Sequence, residues 1–245
     1  MPKKAPKVLK VKDEEPNDKF DDIHDILPQM PSLCLIIGSV RSGKSNLLVN
    51  FFCNPDFYKD KFDVVRIIST TLHTDHKGKI LDKFFDCSDH YEDSMIEDIK
   101  RSQSQYKEKS ERPTYALVMD DVLTKDFKKT NQVSFFSTRF RHYIDMYIIA
   151  VQTFRAVSGM IRGNATDVII CKQQNGKELQ KIAEEYGDTV GGEDNFMRLY
   201  EEAHKDRYSF LYLKLSENPA QAYIRFEKQI YPARVDVESE EELEV

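Results

Sequence analysis

A chain of 245 residues, 40% of them hydrophobic, has material for one well-buried domain and little for a second core. Its 36 Lys and Arg stand against 42 Asp and Glu, which excludes a nucleic-acid binder recognisable by overall positive charge and leaves any such contact to local patches. No run of about 18 apolar residues occurs and the Lys-rich start lacks the apolar stretch of a secretory signal, so the expected setting is soluble, intracellular and off the membrane.

In chain order, residues 1–31 read as a basic, partly disordered segment, because five Lys fall within the first twelve positions. Residues 32–235 read as the folded domain. The remainder, 236–245, holds Asp236, Glu238, Glu240, Glu241, Glu242 and Glu244 and reads as an acidic disordered tail. Cys34, Cys53, Cys87 and Cys171 form no CxxC pair, so reduced thiols fit better than disulfides.

Within the domain, the runs Leu33 to Ile37, Val64 to Ser69, Tyr115 to Met119, Met146 to Val151 and Val168 to Cys171 are short and apolar with little alternation. Strands covered by helices on both faces look like this, so an α/β fold with a central, mainly parallel sheet is predicted. Helical stripes are expected over Lys44 to Phe52, Ser94 to Lys109, Lys177 to Tyr186 and Asn195 to Ala203. The runs Tyr208 to Leu215 and Ala222 to Ile230 flank the turn-forming SENPA and predict a C-terminal β-hairpin.

The first strand ends in GSVRSGKS, which matches GxxxxGK[ST] at Gly38, Gly43, Lys44 and Ser45, and a helical pattern follows at once. Glycines let the backbone wrap a phosphate chain, successive N–H groups point inward, and the helix N-terminus adds positive potential. The expected nucleotide-binding residues are Gly38, Ser39, Val40, Arg41, Ser42, Gly43, Lys44, Ser45 and Asn46. Lys44 neutralises the β and γ phosphates, and the Ser45 hydroxyl is offered to Mg²⁺.

Further on, YALVMDD places two acids directly after an apolar strand. Beside a phosphate loop, Asp120 would order the Mg²⁺ shell and Asp121 would orient the attacking water or accept its proton. The bland alternative is two acids that merely end a strand. The strand MYIIAV then ends in Gln152, an amide able to sense the γ phosphate, although alone it reads as a loop glutamine. Arg139, Arg141, Arg155 and Arg162 cluster around that strand, and an arginine brought to the γ phosphate stabilises transition-state charge.

The order of GSVRSGKS, VMDD, FSTRFRHYIDMYIIAVQTFR and IRGNATDVIICK resembles the FtsK/HerA-superfamily DNA-packaging ATPases of large double-stranded DNA viruses and virophages, over roughly residues 32 to 175. The resemblance implies a RecA-like P-loop NTPase in which the Gln152 strand lies between the phosphate-loop strand and the Asp120 strand. It implies ATP and Mg²⁺ as cofactors, a homo-oligomeric ring, sequence-independent double-stranded DNA, a capsid or portal-vertex protein as partner, and work in an infected cell at sites of virion assembly. Catalytic roles fall to Lys44, Asp121 and Gln152, with Arg139 or Arg141 as the finger toward a neighbouring subunit; Arg162 is the alternative. One departure is that many relatives carry Glu at the second acidic position, and the shorter Asp121 needs a water or a shifted backbone to close the distance.

Three constellations stand outside that frame. His73 and His76, with Cys87 and His90, form two matched pairs with spacing that permits zinc, though an exposed polar segment is the favoured reading of them. Lys125, Lys128 and Lys129 surround Phe127 after the acids and could track DNA phosphates, or form a solvated loop. The Lys-rich N-terminus could hold DNA or an acidic partner. Two rival functions carry weight: a P-loop nucleotide kinase, although no Arg-rich lid stands out, and a nucleotide-gated DNA-tethering or assembly factor with little turnover. A GTPase is disfavoured by the absence of an NKxD-type motif.

Overall fold

The computed structural model describes residues 18–74, 76–122 and 131–232. Residues 1–17 of the basic segment, the acidic tail and the Lys125, Lys128 and Lys129 segment lie outside the described residues, whereas residues 18–31 lie within them. Among those described, the strands are β1 (Ser32–Ile37), β2 (Val64–Ser69), β3 (Asp86–Ser88), β4 (Tyr115–Asp120), β5 (Met146–Val151), β6 (Asp167–Cys171), β7 (Phe210–Lys214), β8 (Gln221–Ile224) and β9 (Lys228–Tyr231). The helices are α1 (Lys44–Cys53), α2 (His76–Leu81), α3 (Asp93–Gln103), α4 (Asn131–Arg139), α5 (Gly159–Asn164), α6 (Gly176–Tyr186) and α7 (Glu193–Ala203).

The strands form one sheet in the order β3-β2-β4-β5-β1-β6-β7-β8-β9. Pairing is parallel from β3 through β6 and antiparallel from β6 onward. As expected, β5 lies between β1 and β4, with Ser32 opposite Met146 and Ile37 opposite Val151. All five predicted parallel runs are strands, and β1, β4, β5 and β6 are buried along their whole length.

That burial follows from two apolar layers, one on each face. Alternate residues of β1 divide between them: Leu33, Leu35 and Ile37 join the layer carrying α3 to α7, whereas Cys34 and Ile36 join the layer carrying α1. Helix α1 supplies Leu47, Leu48, Phe51 and Phe52 to the second layer, each contributing about 1.5–3 kcal/mol by leaving water. Packing in this layer begins ahead of residue 32. Phe20, Ile23 and Leu27 are buried in it, and the Tyr58 hydroxyl donates to the Pro28 carbonyl at 2.8 Å.

Three elements depart from the sequence pattern. Helix α3 stops at Gln103 instead of continuing to Lys109, because its buried stripe of Ile96, Ile99 and Gln103 has no successor among the polar residues beyond. The C-terminal hairpin gains a third strand: Arg225 adopts φ 52°, turns the chain, and splits the second run into β8 and β9. Strand β3 has three residues and attaches to β2, where the Arg66 and Asp86 side chains pair at 2.7 Å.

Candidate functional site

Parallel pairing sends the C-terminal ends of β1, β4, β5 and β6 to one edge of the sheet, the usual place for a binding crevice in such folds. There the loop after β1 wraps back on itself. The Gly38 N–H donates to Val151 O at 3.0 Å, Ser42 N–H to Ser39 O at 3.2 Å, and Ser39 N–H to Lys172 O at 3.3 Å. A Cβ on Gly38 would lie 2.3 Å from Ser42 Oγ and 2.6 Å from Cys171 Cβ, so no side chain fits there. Arg41 and Gly43 take φ 61° and 111°, left-handed values that open the loop before α1 begins.

Lys44 is buried at the start of α1, and its Nζ donates to Gly38 O at 2.8 Å. The lysine thus spans the loop whose phosphate it would neutralise. Beneath it, burial pushes the Cys171 thiol up to about 11 against the pull of the Lys44 charge, so this cysteine is structural and not nucleophilic.

Asp120 ends β4, buried, with Ser69 Oγ donating to its Oδ2 at 2.8 Å. Asp120 and Ser45 border one small cavity of about 10 Å³ together with Ser69 and Thr71. The Asp120 carboxylate and the Ser45 hydroxyl are hard oxygen donors of the kind a divalent cation takes, and the cavity they border has room for about one water-sized group. The next residue departs from the strand: Asp121 has φ 53°, while its N–H still continues the ladder to Ala150 O at 2.9 Å. This left-handed kink turns the Asp121 carboxylate out of the ladder and into the crevice. Gln152, directly after β5, donates from Nε2 to Asp121 Oδ2 at 2.7 Å.

Lys44, Ser45, Asp121 and Gln152 all border a single large cavity of about 1390 Å³ at this edge. Arg139 and Arg141 do not. They are exposed at the end of α4 and beyond it, just before β5 starts opposite Ser32, so they sit at the N-terminal edge of the sheet, away from their own chain's phosphate loop. Arg155 pairs with Glu178 at 3.2 Å; Arg162 pairs with Glu185 at 2.5 Å and lies over the Phe154 ring at 5.1 Å.

The histidine and cysteine pairs do not assemble. His73 and His90 each turn to Asp89, at 3.8 and 2.9 Å, and no group of three or more His, Cys, Asp or Glu among the described residues is gathered as a metal site. Burial pushes the Cys87 thiol up to about 12, which further opposes the thiolate that zinc would require.

Residues that the sequence pattern did not single out also border the cavity. Arg207, Tyr208 and Arg225 come from the loops before β7 and after β8. Their signal is topological: antiparallel reversal after β6 returns both loops to the phosphate edge.

The strand order, the phosphate loop after β1, and acids and amide ending β4 and β5 define a RecA-like P-loop NTPase fold. Solved structures sharing it include B204, the DNA-packaging ATPase from Sulfolobus turreted icosahedral virus, with a TM-score of 0.58, 17% identity, and coverage of 80% of this chain and 97% of that one. The genome-packaging NTPase B204 from Sulfolobus turreted icosahedral virus 2 in complex with ATPγS aligns with a TM-score of 0.51 and 15% identity, over 79% of this chain and 96% of that one. Uncharacterized protein 088R of Invertebrate iridescent virus 3 is 25% identical over 187 residues, 74% of this chain and 69% of that protein. No family model matches. The chain shares the fold of these viral packaging NTPases.

Proposed function

We propose that this chain is an ATP-hydrolysing motor that drives double-stranded viral DNA into a preformed capsid. One observation carries the reading: the ends of β1, β4 and β5 deliver Lys44, Ser45, Asp121 and Gln152 to one cavity, within a fold shared with viral packaging ATPases. The loop amides and Lys44 would hold the phosphates. Ser45 and Asp120 would hold Mg²⁺, which when bound supplies charge neutralisation at the β and γ phosphates.

The catalytic step needs a water placed in line with the γ phosphorus. Gln152 Nε2 donates to Asp121 Oδ2 at 2.7 Å, which fixes the carboxylate and leaves its Oδ1 to accept from and orient a water in the cavity. The water oxygen bonds to the γ phosphorus as the bond to the β–γ bridging oxygen breaks, giving ADP and phosphate. The water's proton passes to the Asp121 carboxylate or onward to solvent. The left-handed backbone of Asp121, at φ 53°, supports a shifted backbone as the way the shorter acid would reach the water.

Arg139 and Arg141 lie far from their own phosphate loop, a placement that suits a finger acting on the neighbour in a homo-oligomeric ring. DNA would run through the ring without sequence readout, and the segment with Lys125, Lys128 and Lys129 is the proposed contact. A capsid or portal-vertex protein would dock the ring where virions assemble in the infected cell. ATPase activity measured with and without double-stranded DNA, alongside oligomeric mass, tests the motor: hydrolysis should rise with DNA and with protein concentration. Robust turnover by a dilute monomer, indifferent to DNA, would overturn it. Phosphate transfer from ATP to a nucleotide instead of water would replace it with a kinase.

A further inference from the structure

The cavity is far larger than a phosphate chain needs, and its two sides differ. Across the sheet, β4 and β5 lie on one side of β1, with β6, β7 and β8 on the other. Asp121 and Gln152 border the first side, where the reacting γ phosphate of the proposed nucleotide must lie. A nucleotide laid along the loop therefore carries its nucleoside end toward the second side, past Asn46 and Asn50 on α1.

That side presents one exposed aromatic. Tyr208 is 58% exposed, yet it borders the cavity, and its Cδ1 is 4.0 Å from the position of a Cβ on Gly43. Its backbone is left-handed at φ 63°, which costs an aromatic residue about 1–2 kcal/mol and is characteristic of ligand clamps. Arg207 covers one ring face, with its guanidinium carbon 4.7 Å from the centroid and Nη2 donating to the phenol oxygen at 2.8 Å. The other face has no ring partner among the described residues. The wall behind is anchored: Arg225 N–H donates to Phe210 O at 3.0 Å, and the Phe226 ring lies 5.9 Å from Phe51 of α1.

Building on the nucleotide reading above, we propose that Tyr208 is the platform on which the nucleobase stacks, with Arg207 as a positioning residue that backs the ring. A phenol face offers π contact and no hydrogen-bond code, so the platform secures affinity for any purine.

Binding of ATP is compared with binding of ribose 5′-triphosphate, which lacks only the base, and quenching of 2-aminopurine riboside triphosphate reports stacking. Tyr208→Gly removes the ring at a φ that suits glycine, so the fold should persist. ATP binding should weaken about 5- to 100-fold, ribose triphosphate binding should hold, and the quench should disappear. Tyr208→Phe should retain both affinity and quench. Equal weakening of the two ligands would make Tyr208 a loop-shaping residue, and no weakening of ATP would remove it from the site; either result overturns the proposal. Lys44→Ala separates the two readings, because ATP affinity unchanged by that substitution would overturn nucleotide binding by the loop itself.

Discussion

The two edges of the parallel sheet bury charge in opposite ways. At the N-terminal edge the buried carboxylates among the described residues, Asp145 and Asp167, are closed off by protein. Asp145 accepts the Tyr115 N–H at 2.9 Å and pairs with Arg112 at 3.5 Å, while Arg112 also donates to His142 O at 2.6 Å. Asp167 accepts hydroxyls from Tyr212, Thr166 and Ser32 at 2.6, 2.7 and 2.8 Å. At the C-terminal edge, Lys44, Asp121 and Gln152 face a cavity of about 1390 Å³, and Arg41, Asp121, Tyr208 and Arg225 there hold left-handed backbones. Charge enclosed among protein groups holds strands in register, whereas charge facing a cavity with strained backbone around it is set for a ligand. Substitution at each edge should therefore fail differently.

The largest effect is expected at the open edge. Lys44→Ala should lower ATP hydrolysis by about a thousandfold or more, while the melting temperature stays near that of the parent, because the lysine's partner is a loop carbonyl that water can serve. Steady-state phosphate release with a thermal melt checks both halves. A collapse in stability would mean that Lys44 belongs with the closed edge.

Next comes the mirror experiment. Arg112→Met leaves Asp145 buried without its cation and should cost about 3–5 kcal/mol in a urea titration, with nucleotide affinity of the folded fraction unchanged. Asp145 already has its acidity weakened by burial, opposed by the Tyr115 N–H and by Arg112. Because Arg112 also holds His142, next to Arg141, an accompanying loss of concentration-dependent hydrolysis would tie this closed edge to the subunit contact.

A smaller loss is expected from Gln152→Ala. It should slow hydrolysis by about 10- to 100-fold and leave nucleotide affinity near wild type, since in the proposed reaction the amide would orient water through Asp121 and would meet no phosphate charge. A rise in the Kd for ATP equal to the fall in rate would make Gln152 a ligand-holding residue.

How much of this contrast was legible in the sequence depends on distance along the chain. The phosphate loop is a contiguous motif, and β4 and β5 are apolar runs whose last residues declare themselves, so Gly38 to Ser45, Asp120, Asp121 and Gln152 could be placed on strand ends without coordinates. Asp145 and Asp167 could not be recognised as closed, because each is satisfied by groups brought in by strand pairing, 30 residues away at Tyr115 and 45 at Tyr212. Arg207 and Tyr208 were hidden for a related reason: they meet Gly43 only because β7 runs against β6. The packing of Phe20, Ile23 and Leu27 was masked by the Lys-rich residues before them, whose composition suggested a longer disordered segment.

The subtlest test concerns pH at Asp167. Burial raises its pKa, and the hydroxyls of Tyr212, Thr166 and Ser32 only partly oppose this, helped by the nearby Lys214 charge. A folded pKa above the unfolded value of about 3.9 means that the folded state binds the extra proton between the two, so the stabilising contribution is complete below the unfolded pKa and is lost as pH rises through the folded one. Asn at this position keeps an acceptor, and the three hydroxyls can rotate to meet its amide. Asp167→Asn should therefore be about as stable as the parent or slightly less so in acid, and should gain on it as pH rises toward neutrality. Denaturant titrations across that range read the difference directly. A variant that loses ground with rising pH would show that the ionised carboxylate, fully paired, stabilises the closed edge, and the contrast between the two edges would then rest on pairing strength instead of on burial.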